Sequence, residues 1–275
     1  MFDFSGDETF FFIIALVATV RGGWTYWAPL ASIAKSPRPS RARAILAVIP
    51  IVGALMTCFT AQVWGDSSVS NHPDYILLFM LGSLAWLFLS TFAMRLLGLS
   101  LRDDALERDN SAAAIACGGA LLAVAIAYAA SNIGGGPTIW TTLLPAAWTA
   151  LALGLSWLLI NAIGGSVADS ITIDRDVPTA IRLAAALVAS SLILGRAAGG
   201  NWISWDQTWA DFLHRGWPAL AIAVAAGLIQ RRFRPTPVCP QPAVGAPAFI
   251  PAGVYLVTAF AIVAFTSHGL DPSRW

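Results

Sequence analysis

Eight long apolar runs constrain the fold of this chain more than any other feature. They occupy approximately residues 9–34, 42–64, 75–98, 111–133, 139–163, 178–199, 216–230 and 249–268. Crossing about 30 Å of hydrocarbon takes about 20 mainly apolar residues in a helix. Inside lipid every backbone N–H and C=O must be satisfied within the segment, so spans of this kind are helical. The expected fold class is therefore all-α, a polytopic transmembrane helical bundle of about eight spans. Charged residues make up 11% of the chain, against about 25% in soluble domains, which excludes a water-soluble globule. With 16 Lys and Arg against 15 Asp and Glu, no basic field points to nucleic acid. Cys58, Cys117 and Cys239 lie far apart and form no CxxC, so neither a disulfide framework nor a thiolate metal site is implied. Two spans are weaker than the rest: Arg21-Gly22-Gly23 interrupts the first, and 216–230 is short. Asp3, Asp7 and Glu8 precede the first run, where a cleavable signal would carry positive charge.

Orientation follows from Lys and Arg, which resist translocation. Lys35, Arg38, Arg41 and Arg43 follow the first span; Arg95, Arg102 and Arg108 surround the loop after the third; Arg175 and Arg182 are assigned to the loop after the fifth; Arg231, Arg232 and Arg234 follow the seventh. If all eight spans cross, these loops share one side, the cytoplasmic one, and both termini lie outside. The opposite loops hold Arg196, Arg215 and Arg274 beside Asp66, Asp74, Asp206, Asp211 and Asp271. Residues 201–215 place Trp205, Trp209, Phe212 and Leu213 at helical spacing, the pattern of an amphipathic helix lying in the interface. Arg234 to Pro242 is Pro-rich and reads as an extended linker.

An internal repeat is the next signal. Glu107-Arg108-Asp109 before the fourth span recurs as Asp174-Arg175-Asp176 before the sixth, and each triplet is followed by a small-residue helix ending in glycines, Gly134-Gly135-Gly136 and Gly199-Gly200. An even number of spans separates the copies, so the expected repeat is parallel, of two-helix units. The segments are then 1–66, an N-terminal two-helix segment; 74–136 and 137–200, the two units; 201–215, the interfacial helix; and 216–275, a C-terminal two-helix segment. The run Asp104-Ala-Leu-Glu107-Arg-Asp-Asn110-Ser-Ala-Ala-Ala114-Ile115-Ala-Cys-Gly118 resembles the signature of the YjfL-like family, small bacterial inner-membrane proteins of unknown function. That pattern has an acidic residue, a Gly-Asn pair, alanines and an Ile before a glycine; here Asp109 stands at the usual glycine, and Val177 replaces the Asn in the second copy. The resemblance covers roughly 75–200, read as two tandem copies, and implies a bacterial inner-membrane location but no reaction.

Candidate residues fall into three groups. Arg21 is the candidate intramembrane charge, since it falls near the middle of the first span, where a charge is costly and tends to be functional; a broken span, or a half-inserted helix with Arg21 at an interface, would explain it without function. Glu107, Arg108, Asp109, Asn110, Asp174, Arg175 and Asp176 form the candidate cytoplasmic motif, as helix caps or as a gate or docking site. Ala114 and Gly118, with Gly195 and Gly199, are candidate packing positions at small-xxx-small spacing. His72, His214 and His268 lack metal-ligand spacing, and no P-loop, GxSxG or HExxH occurs. No catalytic, cofactor-binding or metal residue is assigned, no cofactor is implied, and an enzyme is not expected. The leading expectation is a scaffold or partner subunit of a bacterial envelope or membrane-stress complex. Its partners would be the lipid bilayer and other membrane-protein subunits or further copies of the chain, with no nucleic acid. The alternative is a channel or transporter with an ion or small-solute pathway at the repeat interface.

Overall fold

The computed structural model describes residues 4–33, 41–235 and 244–267. Lys35, Arg38, Cys239, His268, Asp271, Arg274 and the Pro-rich stretch after Pro235 lie outside the described residues. The helices are α1 (Gly6–Ile33), α2 (Arg41–Trp64), α3 (Ser67–Ser70), α4 (Pro73–Leu96), α5 (Ser111–Ala130), α6 (Trp140–Gly164), α7 (Val167–Thr172), α8 (Val177–Ala198), α9 (Trp205–Gly216), α10 (Pro218–Arg232) and α11 (Ala246–Ser267), with a π-helical turn at Leu101–Glu107 before α5. Among the described residues, eight stretches are long and apolar enough to cross a membrane; this is a multi-pass integral membrane protein.

The two uncertain spans resolve differently. α1 is one unbroken helix of 28 residues, about 42 Å at 1.5 Å per residue. Gly22 does not interrupt it; a Cβ there would meet the Phe88 ring of α4 at 2.6–2.8 Å, so the glycine is a close-approach site between two helices. α10 alone has 15 residues, about 22 Å, too short to span. Its predecessor lengthens it: Trp217 between α9 and α10 keeps helical angles (φ −53°, ψ −30°), giving a run of 28 residues, Trp205–Arg232. Pro218 has no amide to continue the ladder and marks the irregularity in that run. Trp209 and Phe212 of α9 meet Trp148 of α6 edge-on and tilted, with ring centroids at 4.9 and 5.9 Å.

α5 and α8 form the centre. The α8 and α5 spans are 72% and 67% buried within the bundle, against 17% for α1 and 22% for α11, which ranks these as core and periphery. The central pair is parallel, because Gly119 meets Ala184 toward the middle of both helices and Gly195 meets Ala130 near their C-terminal ends. In lipid, association depends on backbones approaching closely rather than on hydrophobicity. Gly119 supplies that approach, while Gly118 faces Ile49 and Leu46 of α2. Ala114 is buried, and Gly199 abuts the Ala130 carbonyl. Around this pair α1 packs on α4 and α2 on α5; on the other side α10 packs on α6 and α11 on α8.

Candidate functional site

The turns that launch α5 and α8 share one backbone design. Asp109 and Arg175 both have positive φ (48° and 57°), and each precedes an N-cap in extended conformation. Asn110 accepts from the Ala112 and Ala113 amides, and Asp176 from the Thr179 amide. Positive φ costs an L-residue its Cβ clearance and favours glycine, which is the residue the YjfL-like pattern carries at Asp109. Asp176 stands to α8 as Asn110 stands to α5: each caps its helix directly after a residue of positive φ. Backbone geometry sets the offset at 66 residues (176 minus 110), and Gly134 and Gly200, both with positive φ, keep it.

The candidate cytoplasmic motif is brought together through backbone more than through opposed charges. Asn110 Nδ2 donates to the Ile171 carbonyl at 2.8 Å, and Arg175 Nη2 donates to the Arg108 carbonyl at 3.1 Å. The charges of the first triplet pair within their own loop: Arg102 with Glu107 at 2.8 Å, Arg108 with Asp104 at 3.1 Å. Glu107 beside it raises the Arg102 guanidinium above its ordinary value through a hydrogen bond and charge attraction. The end that carries these loops also carries Arg95, and Arg234, whose guanidinium lies beside Gly165.

Arg182 requires a correction. It does not belong to the loop after the fifth span; it lies in α8 and is 1% exposed, the largest fully buried side chain among the described residues. Its Nε donates to Gln230 Oε1 of α10 at 2.9 Å, its Nη1 to the Pro247 carbonyl of α11 at 3.2 Å, and its Nη2 to Thr179 Oγ1 at 2.9 Å. The Phe233 ring covers it at 5.6 Å from the centroid. The reason is local. Pro251 lies inside α11 and lacks the N–H that would bond back four residues to the Pro247 carbonyl. An orphan carbonyl in a dry core must find another donor. The other half of the bundle has the same problem and a different remedy: Pro50 orphans the Leu46 carbonyl of α2, and the Tyr26 hydroxyl of α1 donates to it at 2.6 Å. Proline inside an apolar run is the sequence signal that points to both orphaned acceptors, though not to their donors.

Arg21 lies in α1, exposed, with no hydrogen bond or ion pair to any described residue. It stands 15 residues after Gly6, about 22 Å along a helix of about 42 Å. Centred on about 30 Å of hydrocarbon, the helix puts Arg21 close to the midplane. The same outward surface carries Phe10, Val17, Val20 and Trp24, the last 77% exposed. Among the described residues, no group of three or more His, Cys, Asp or Glu side chains is placed to hold a metal ion.

Residues 67–198 match the family model Domain of Unknown Function (DUF350). The DUF350 domain thus runs from α3 to the end of α8 and contains the central pair, both capped turns and Arg182. α1 with Arg21, and α10 and α11 with Gln230 and Pro247, lie outside the matched residues. No curated protein matches the chain, and no solved structure does.

Proposed function

We propose that the protein is a non-enzymatic partner subunit of a bacterial inner-membrane complex, built on a YjfL-like DUF350 core of two tandem two-helix units. The end bearing the capped turns is cytoplasmic and both termini are outside, in keeping with the Arg-rich loops at that end. The shared cap geometry, the 66-residue offset and the similar packing of α2 on α5 and α11 on α8 support the duplication. The α5–α8 contact is sealed by Gly119 and Gly195 against alanines, which disfavours a solute pathway between the two units.

Arg21 is the observation that carries the partner reading. A charge on a lipid-facing surface at the midplane costs at least about 2.5–3.5 kcal/mol, and among the described residues Arg21 has no acceptor. A neighbouring helix with a carboxylate or an orphan carbonyl removes that cost. A second copy of the chain has no Asp or Glu at that depth in its spans, which favours a different membrane protein as the occupant. Site-specific photo-crosslinkers at Val17, Val20 and Trp24, in cells, test this. The proposal expects one discrete heterologous adduct that disappears with Arg21→Leu. Adducts to lipid alone, or adducts unchanged by Arg21→Leu, would overturn it.

A further inference from the structure

At the end of the bundle away from the capped turns, two cavities flank the glycine turns that close α5 and α8. One, of about 360 Å³, lies against α4 and is lined by Glu8, Asp66, Asp74, Tyr75, Phe79 and Thr142 among others. The second, of about 250 Å³, lies between the end of α8 and α9 and is lined by Arg196, Trp202, Thr208, Asp211 and Arg215 among others. The offset of 66 residues that relates the caps also carries one cavity wall onto the other. Tyr75 maps to Thr141, Phe79 to Pro145, Gly134 to Gly200 and Thr142 to Thr208, and each of these residues lines its own cavity. The frames correspond, so the difference lies in charge. The α4 cavity holds three carboxylates and no Lys or Arg. The α9 cavity holds two guanidiniums and one carboxylate, Asp211, which stands 3.8 Å from Arg215.

Three features of the α9 cavity suit an oxyanion. Arg196 and Arg215 lie within electrostatic reach of each other, a like-charge pair that an anion between them would relieve. Arg196, in the last turn of α8, and Arg215, in the last turn of α9, both line the cavity. The Trp202 indole N–H is buried without any acceptor, and an indole nitrogen can only donate. We propose that this cavity binds a phosphate-type oxyanion, with Arg196 and Arg215 supplying charge and Trp202 Nε1 an additional donor. Trp205, Trp209 and Trp217 on α9 are exposed, the side chains that settle at headgroup depth, so the anion is either a lipid phosphate or a soluble one.

The test uses the full chain in phosphatidylcholine nanodiscs, titrated with inorganic phosphate and, separately, with short-chain phosphatidic acid, with binding read by native mass spectrometry. One saturable equivalent is expected. Arg215→Gln should weaken it about ten- to hundredfold, the scale of one charge-assisted hydrogen bond. Asp211→Asn, which removes the competing carboxylate, should tighten it. Saturation by phosphate itself identifies a soluble anion site; saturation by phosphatidic acid alone identifies a headgroup site. Failure of both probes to saturate, or unchanged binding in Arg215→Gln with its unfolding transition intact, would overturn the site.

Discussion

The pairing of a helix proline with a buried donor makes a double-mutant prediction. Tyr26 is 4% exposed and its hydroxyl lies 2.6 Å from the Leu46 carbonyl. Tyr26→Phe removes only that oxygen. Interhelical hydrogen bonds in membranes average about 0.6 kcal/mol, with a maximum near about 1.7. This one serves a carbonyl that has lost its helix partner, so the upper figure applies, and Tyr26→Phe should cost about 1.5 kcal/mol. Pro50→Ala restores the N–H at position 50, after which the hydroxyl is only a second donor to a satisfied carbonyl. In that background Tyr26→Phe should cost about 0.6 kcal/mol, a coupling of about 1 kcal/mol. Trp27 provides the control: its Nε1 donates to the Ala47 carbonyl at 3.3 Å, and Ile51, four residues on, has an N–H. Trp27→Phe should therefore cost the same with or without Pro50. The assay is reversible unfolding in mixed micelles, followed by far-UV circular dichroism. Equal cost of Tyr26→Phe in both backgrounds would refute the orphan-carbonyl account.

Three further outcomes follow from the same structure. Arg182→Lys retains the charge but not the planar fork that reaches three acceptors, so it should destabilise the bundle by about 1–3 kcal/mol in the same unfolding assay; Arg231→Lys, on the exposed end of α10, should change nothing measurable. Gly119→Ala drives a methyl into Ala184 and should cost about 1–3 kcal/mol, whereas Gly154→Ala, with nothing within 4 Å of its Cβ, should be neutral or stabilising by about 0.5–1 kcal/mol. Asp66 caps α3, and the hydrogen bond it accepts from the Ser68 amide holds its carboxyl below the ordinary range. A depressed folded value means that its contribution is complete above the ordinary carboxylate pKa and is lost as pH falls through the lowered one. Chemical-shift titration of the α3 turn should show that acid-side transition, and Asp66→Asn should abolish it.

The spans could be read from apolar length because lipid permits little else, and Asn110 could be read as a cap because a short polar side chain before an alanine run has few other uses. Arg182 could not be read. A basic residue five positions into a helix looks like a flanking loop charge until the partners that bury it, Gln230, Pro247 and Thr179, are assembled from other segments. Charge identity pairs Asn110 with Val177, whereas φ sign and cap position pair it with Asp176, Arg175 having the positive φ of Asp109. Small-residue spacing found the central helices but chose Gly118, which faces α2, over Gly119, which faces α8; adjacent glycines differ by about 100° around a helix, and only packing decides between them. The α9 cavity draws its walls from α6, α8 and α9, so no local motif announces it.

The central claim, that Arg21 lies under a partner protein, is tested most directly by the mass of the particle extracted with its native lipid into polymer nanodiscs. The account predicts a stoichiometric complex heavier than the 29.0 kDa chain by a second polypeptide, and loss of that polypeptide in Arg21→Leu. A lone 29.0 kDa chain, or a complex that survives Arg21→Leu intact, would contradict it.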